Sequence, residues 1–220
     1  SGGLSSMQGV FITFEGVEGA GKTTRSKVLQ EALSAAGYSV RATREPGGPP
    51  VSERVREILL DKGLDLPPVC ELMLFLAARA ANVEMVILPW LARGGVVVGD
   101  RFTDATLAYQ AFGRGLPRPR VEAACRFAAG GLVPDLTVLL DLDPEEGLRR
   151  HAGDGRPRDR MEEAGADFHR RIREGYLTLA REDPDRYLVL PGDRSPETLD
   201  ELILRWAEEV LRRKNGSRDQ

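Results

Sequence analysis

The sequence predicts an α/β fold, a three-layer α/β/α arrangement around a five-stranded parallel sheet. Five short apolar runs, at 10–14, 38–43, 96–99, 136–142 and 187–190, are separated by stretches that read as helices. Strands that alternate with helices imply parallel βαβ units. Val96-Val97-Val98 and the run from Leu136 to Leu140 are continuous rather than alternating, as expected of strands covered on both faces. The 220 residues, 41% hydrophobic, suit one such domain with a single core.

The helices expected between these strands cover 22–36, 50–61, 68–93, 104–113, 118–130, 144–151, 164–182 and 196–214. The irregular stretch from His151 to Arg160 holds two glycines, a proline and three arginines, the composition of a mobile cationic loop. We expect a flexible lead over 1–7, one domain over 8–212 with a lid at about 151–163, and a flexible tail over 213–220. The opening residues lack the charged and apolar regions of a secretory signal.

A net charge of −3 argues against wholesale binding of nucleic acid or an anionic membrane. Cys70 and Cys125 lie far apart without metal or redox spacing, and read as two reduced thiols. No apolar run approaches the roughly 20 residues of a membrane span. A cytoplasmic enzyme fits these features.

The first strand runs into Gly16-Val17-Glu18-Gly19-Ala20-Gly21-Lys22-Thr23, which spells G-x-x-x-x-G-K-[ST]. Such a loop aims successive backbone N–H groups and a helix N-terminus at one anion. The segment from Thr24 onward has few helix breakers and supplies that helix. Lys22 is placed to reach the β- and γ-phosphates and Thr23 to hold Mg²⁺, so the chain is expected to bind a nucleoside triphosphate.

Gly99-Asp100-Arg101 closes the third strand. A carboxylate there is placed to hold Mg²⁺ and the guanidinium to bind a second anion; a local ion pair or helix cap is the alternative. Thr43-Arg44-Glu45-Pro46-Gly47-Gly48 is turn chemistry at the carboxyl end of the second strand, the edge where such sheets bind ligands. Phe75 and Arg79, four apart, share a helix face. They suit the stacking and edge recognition of a base, or else a core Phe beside a surface Arg. Thr106, Tyr109 and Gln110 present hydroxyl and amide groups at helical spacing, to a ligand or to solvent. Arg156, Arg158 and Arg160 lie at every second position of the cationic loop. They are suited to closing over a transferring phosphoryl group, or to remaining a solvated basic loop.

Together these pieces resemble the bacterial thymidylate kinases, within the P-loop nucleoside monophosphate kinases. The resemblance rests on residues 11–24, on Thr-Arg-Glu-Pro-Gly-Gly at 43–48, on Gly-Asp-Arg-Phe at 99–102, on Leu-Ala-Tyr-Gln at 107–110 and on Pro-Asp-Leu-Thr at 134–137. It implies a P-loop NTPase fold with a mobile lid, transfer of the ATP γ-phosphoryl group to dTMP with Mg²⁺, and a homodimer. It implies ATP contacts along 16–24, through Gly16, Val17, Glu18, Gly19, Ala20, Gly21, Lys22, Thr23 and Thr24. Phe75 then stacks on thymine, Arg79 donates to its 4-oxo group, and Thr106 and Gln110 meet the remaining base edge. Tyr109 lies against the sugar, and Glu18 reaches the 3′-hydroxyl or the metal. Arg101 and Arg56 bind the monophosphate near Glu45, Thr23 and Asp100 serve the metal, and the lid arginines assist Lys22 and Arg101 in catalysis. Only Arg160 of the three aligns with the family's pattern directly.

Three other readings are weaker, and one of them, a catalytically dead nucleotide-binding module, has no support in a sequence that keeps Lys22, Thr23, Asp100 and Arg101. A related kinase acting on dUMP, dCMP or a nucleoside would share the fold. A GTP-dependent switch would need a guanine-reading Asn-Lys-x-Asp element, which the sequence lacks.

Overall fold

The computed structural model describes residues 9–153, 161 and 163–216. The expected lead and most of the expected lid, with Arg156, Arg158 and Arg160, lie outside these residues. Five strands form one parallel sheet: β1 (Val10–Glu15), β2 (Val40–Arg44), β3 (Val96–Asp100), β4 (Leu136–Asp141) and β5 (Tyr187–Pro191), in the order β2-β3-β1-β4-β5. Each expected strand is present, with ends moved by one or two residues. The central β1 is buried at every position, which is why its sequence shows no alternation.

Helix α1 (Lys22–Ala35) follows β1, and α9 (Pro196–Gly216) packs beside it. Leu29, Leu33, Ile203, Ala207 and Leu211 bring both into the main core. On the other side, Phe11 and Val97 pack with Val83, Ile87, Leu91 and Phe102. The Phe11 and Phe102 rings meet edge to face at 4.9 Å, a favourable quadrupole arrangement. Helix α2 (Pro50–Leu60) and helix α3 (Pro68–Asn82) each start on a proline, where the missing N–H costs nothing.

Three expectations are corrected. The helix expected over 68–93 is α3, a π-helical segment Val83–Ile87 and the short α4 (Leu88–Leu91). That run of 24 residues has a mean hydropathy of 1.6 in its most apolar window and is long enough to cross a membrane by composition. Here it turns Glu71, Arg79 and Asn82 into the interior and so serves as a wall of the core.

The helix expected over 104–113 is α5 (Thr103–Thr106) followed by a π-helical segment Leu107–Gly113. There Arg114 N–H bonds Tyr109 O, five residues back. Helix α9 also continues to Gly216, into the expected tail. Leu211 is buried and Lys214 Nζ pairs with Asp135 Oδ1 at 2.6 Å, which ties that last turn down. The remaining helices are α6 (Arg118–Ala128), α7 (Pro144–Gly153) and α8 (Ala166–Glu182).

Candidate active site

The carboxyl ends of β1, β2 and β3 open into a cleft of about 660 Å³, the edge where ligands bind in open parallel sheets. Its floor is the phosphate-loop motif. Gly16, Gly19 and Gly21 take φ of 139°, 72° and 88°, a region that side chains disfavour. Helix α1 starts directly after Gly21, so its N-terminal N–H groups face the cleft. Glu18, Gly19, Gly21, Lys22, Thr23 and Thr24 line it, whereas Gly16, Val17 and Ala20 of the same motif do not.

Lys22 is buried and its Nζ donates to Val17 O at 2.8 Å. Burial, then the neighbouring Arg101 charge, pushes its pKa below the ordinary lysine value. Thr23 Oγ1 donates to Asp100 Oδ2 at 2.7 Å, joining the loop to the tip of β3. Among the described residues no group of three or more His, Cys, Asp or Glu gathers as a metal cage. The Thr23 hydroxyl and Asp100 carboxylate are the groups here that could hold a hard cation, with its other ligands from phosphate and water.

Arg101 follows Asp100 with φ 71°. It is the one non-glycine residue with positive φ among those described, and such strain gathers at functional sites. The strain is held by the next residue, since Phe102 N–H donates to Glu15 Oε1 at 2.7 Å. Glu15 Oε2 accepts from Tyr176 OH at 2.8 Å, and Arg101 Nη1 donates to that same hydroxyl at 3.1 Å. Arg101 Nη2 reaches Tyr109 OH at 3.1 Å and pairs with Glu18. Glu15 and Tyr176 are buried, and sequence reasoning missed both. Glu15 adjoins the motif in sequence, but Tyr176 comes from α8, 161 residues away.

The far wall carries the residues expected to read a base. Phe75, half-buried, lines the cleft with Arg79, Thr106, Tyr109 and Gln110. The last three are buried, so they do not form a solvated face.

Arg79 is only 2% exposed, the reverse of a surface Arg beside a core Phe. All three of its guanidinium nitrogens are engaged. Nε and Nη2 hold Glu45 Oε2 at 2.8 and 2.7 Å, Nη1 donates to Thr106 Oγ1 at 2.9 Å, and Nη2 to Phe102 O at 2.9 Å. Asn82 Nδ2 donates to Glu45 Oε1 at 3.1 Å, and Thr43 Oγ1 donates to Asn82 Oδ1. The turn after β2 is thus buttressed from α3. Arg56 Nη1 donates to Pro46 O at 3.0 Å, at the cleft rim with Arg44. Arg150, on α7, and Met161 also line the cleft without having been anticipated.

A family model described as thymidylate kinase matches residues 14–203. The thymidylate kinase of Deinococcus radiodurans is 50% identical over 200 residues, covering 91% of this chain and 96% of the relative. That of Pelotomaculum thermopropionicum is 50% identical over 206 residues, covering 93% and 95%. The crystal structure of the Ehrlichia chaffeensis thymidylate kinase superposes with a TM-score of 0.69 at 34% identity, over 83% of this chain and 92% of that one. A family model over most of the chain and relatives at half identity over nearly their whole length show that the chain belongs to the thymidylate kinase family.

Proposed function

We propose that ATP and dTMP occupy this cleft together, with a donor end at the phosphate loop and an acceptor end at the α3–α5 wall. ATP-dependent phosphorylation of dTMP, on the way to dTTP, is the family's activity; the allotment of residues to it is our reading. One observation carries that reading. Lys22, Thr23, Asp100 and Arg101 line the same cleft as Phe75, Thr106, Tyr109 and Gln110.

At the donor end, the N–H groups of 16–24 bind the ATP phosphates and Lys22 follows the γ-phosphoryl group through transfer. At the acceptor end, Arg101 and Arg56 hold the monophosphate. Phe75 stacks on thymine, Thr106 and Gln110 meet its edge, and Tyr109 lies against the sugar near Glu18. Arg79, with its nitrogens engaged, acts mainly by fixing Thr106 and Glu45 beside the base.

Thr23 and Asp100 would hold Mg²⁺, which supplies positive charge to the phosphates of ATP. A loose phosphoryl-transfer transition state needs alignment and fixed positive charge more than covalent help. Lys22 and Arg101 provide these, assisted by Arg156, Arg158 and Arg160 of the lid. We also read the chain as a cytoplasmic homodimer. Val69 and Met73, one turn apart on α3 and each 55% exposed, supply an apolar strip for a partner.

The test is ADP release in a coupled assay with ATP, Mg²⁺ and each of dTMP, dUMP, dCMP, dGMP, AMP and thymidine. Strong preference for dTMP is expected. Faster turnover of a different base would overturn the roles given to Phe75, Thr106 and Gln110.

A further inference from the structure

Gln110 is fully buried in the π-helical segment at the cleft wall. Its Nε2 donates to Glu71 Oε1 at 2.6 Å. Its Oε1 is sheltered from water and has no partner among the described residues. A carboxylate only accepts hydrogen bonds, so the contact with Glu71 dictates which end of the amide is nitrogen. Glu71 is held in turn. Arg114 donates from Nε to Oε1 at 3.2 Å and from Nη2 to Oε2 at 3.3 Å, with its guanidinium 4.6 Å over the Phe168 ring.

We propose that Glu71 is a positioning residue for base selection, locking the Gln110 carboxamide so that its carbonyl faces the base. This rests on the reading of the cleft as the dTMP site. A buried acceptor without a partner is costly, and a ligand N–H relieves that cost. Thymine and uracil carry such a donor at N3. Cytosine presents a lone pair there, which would oppose the Gln110 carbonyl. The amide's orientation therefore bears directly on discrimination between the two bases. Sites built around a buried polar group reject a ligand that leaves it unpaired.

The test compares dTMP and dCMP kinetics in the wild type, Glu71→Gln, Gln110→Leu and the double variant, alongside thermal midpoints. In Glu71→Gln the new amide can donate, and Gln110 is free to turn its nitrogen toward the base. The dTMP-to-dCMP ratio of kcat/KM is expected to fall on the order of 10- to 100-fold, with the loss for dTMP mainly in KM. In the Gln110→Leu background the same substitution should leave that ratio unchanged, because Glu71 acts through Gln110.

A ratio kept in Glu71→Gln, or an equal loss for both acceptors, overturns the lock. Absence of dTMP preference in the wild type instead overturns the reading of the site. Should Glu71→Gln not fold, the wild type is tested for binding of 3-deaza-dTMP, in which C–H replaces N3–H. Roughly tenfold weaker binding than dTMP supports the proposal, and equal binding overturns it.

Discussion

A Cβ built on Gly19 would lie 2.1 Å from Gly147 O, and one built on Gly147 would lie 2.1 Å from Glu18 O. The phosphate loop and α7 thus meet backbone to backbone, with no room for any side chain between them. In sequence, α7 runs toward the cationic segment expected to close over ATP. An arginine at position 19 has no place in this packing.

Gly147→Ala should therefore destabilise the protein even though alanine favours a helix by about 1 kcal/mol over glycine. We expect a lower thermal midpoint and a roughly tenfold loss of kcat/KM for ATP. Thermal unfolding and steady-state kinetics check this; a midpoint at or above that of the wild type would contradict the contact.

Lys22→Ala removes positive charge from the donor end. A fall in kcat of about 10²- to 10³-fold is expected. Stability should not fall with it, because the substitution also removes a buried charge. The coupled ADP assay and a melting curve give both numbers, and near-normal turnover would remove Lys22 from the mechanism.

Activity should vanish when EDTA removes divalent cations and return with added Mg²⁺. In Asp100→Asn the Mg²⁺ concentration for half-maximal rate should rise roughly tenfold or more. Titration of Mg²⁺ at saturating dTMP reads this directly, and an unchanged requirement would move the cation elsewhere.

Arg79→Ala leaves the Glu45 carboxylate buried, with Asn82 as its remaining partner among the described residues. Breaking a buried ion pair from one side costs about 3–5 kcal/mol. The thermal midpoint should drop by roughly 10 °C, so a loss of dTMP turnover in this variant would not by itself show a base contact. Arg79→Ala with a near wild-type midpoint would contradict the ion pair.

Burial, reinforced by the Asp104 charge, pushes the Glu15 carboxyl from the ordinary 4.5 up to about 8. Between those values the folded protein keeps a proton that the unfolded chain has released. Stability contributed by this group is therefore lost as pH rises from about 4.5 to 8, and levels off above. Glu15→Gln stays neutral throughout. The wild-type midpoint should fall relative to that of Glu15→Gln between pH 5.5 and 8; parallel curves would place the titration elsewhere.

The strands were legible because short β-branched runs such as Val96-Val97-Val98 are bounded by glycines, here Gly94, Gly95 and Gly99. The phosphate-loop motif was legible because its residues are contiguous, from Gly16 to Thr24. What escaped is held by contacts between distant segments. Glu15 with Tyr176, Glu71 with Gln110 and Gly19 with Gly147 leave no local pattern, since each partner alone reads as an ordinary polar residue or glycine. The π-helical turns escaped too: Leu107–Gly113 has the composition of a regular helix, and only the bond from Arg114 back to Tyr109 shows the wider turn. Arg79 was found, but its inward pairing with Glu45 depends on a fold that brings residues 34 positions apart together.

Asp100 stands in register with Phe14 on one side and Arg44 on the other. The backbone that carries this cleft-lining carboxylate is therefore fixed into the parallel ladder. On the proposed reading, substrates and charged side chains would assemble around a point whose backbone the sheet holds. A fixed origin of this kind would let the two anionic substrates of the proposed reading be aligned anew in every turnover without the protein having to find its own geometry each time.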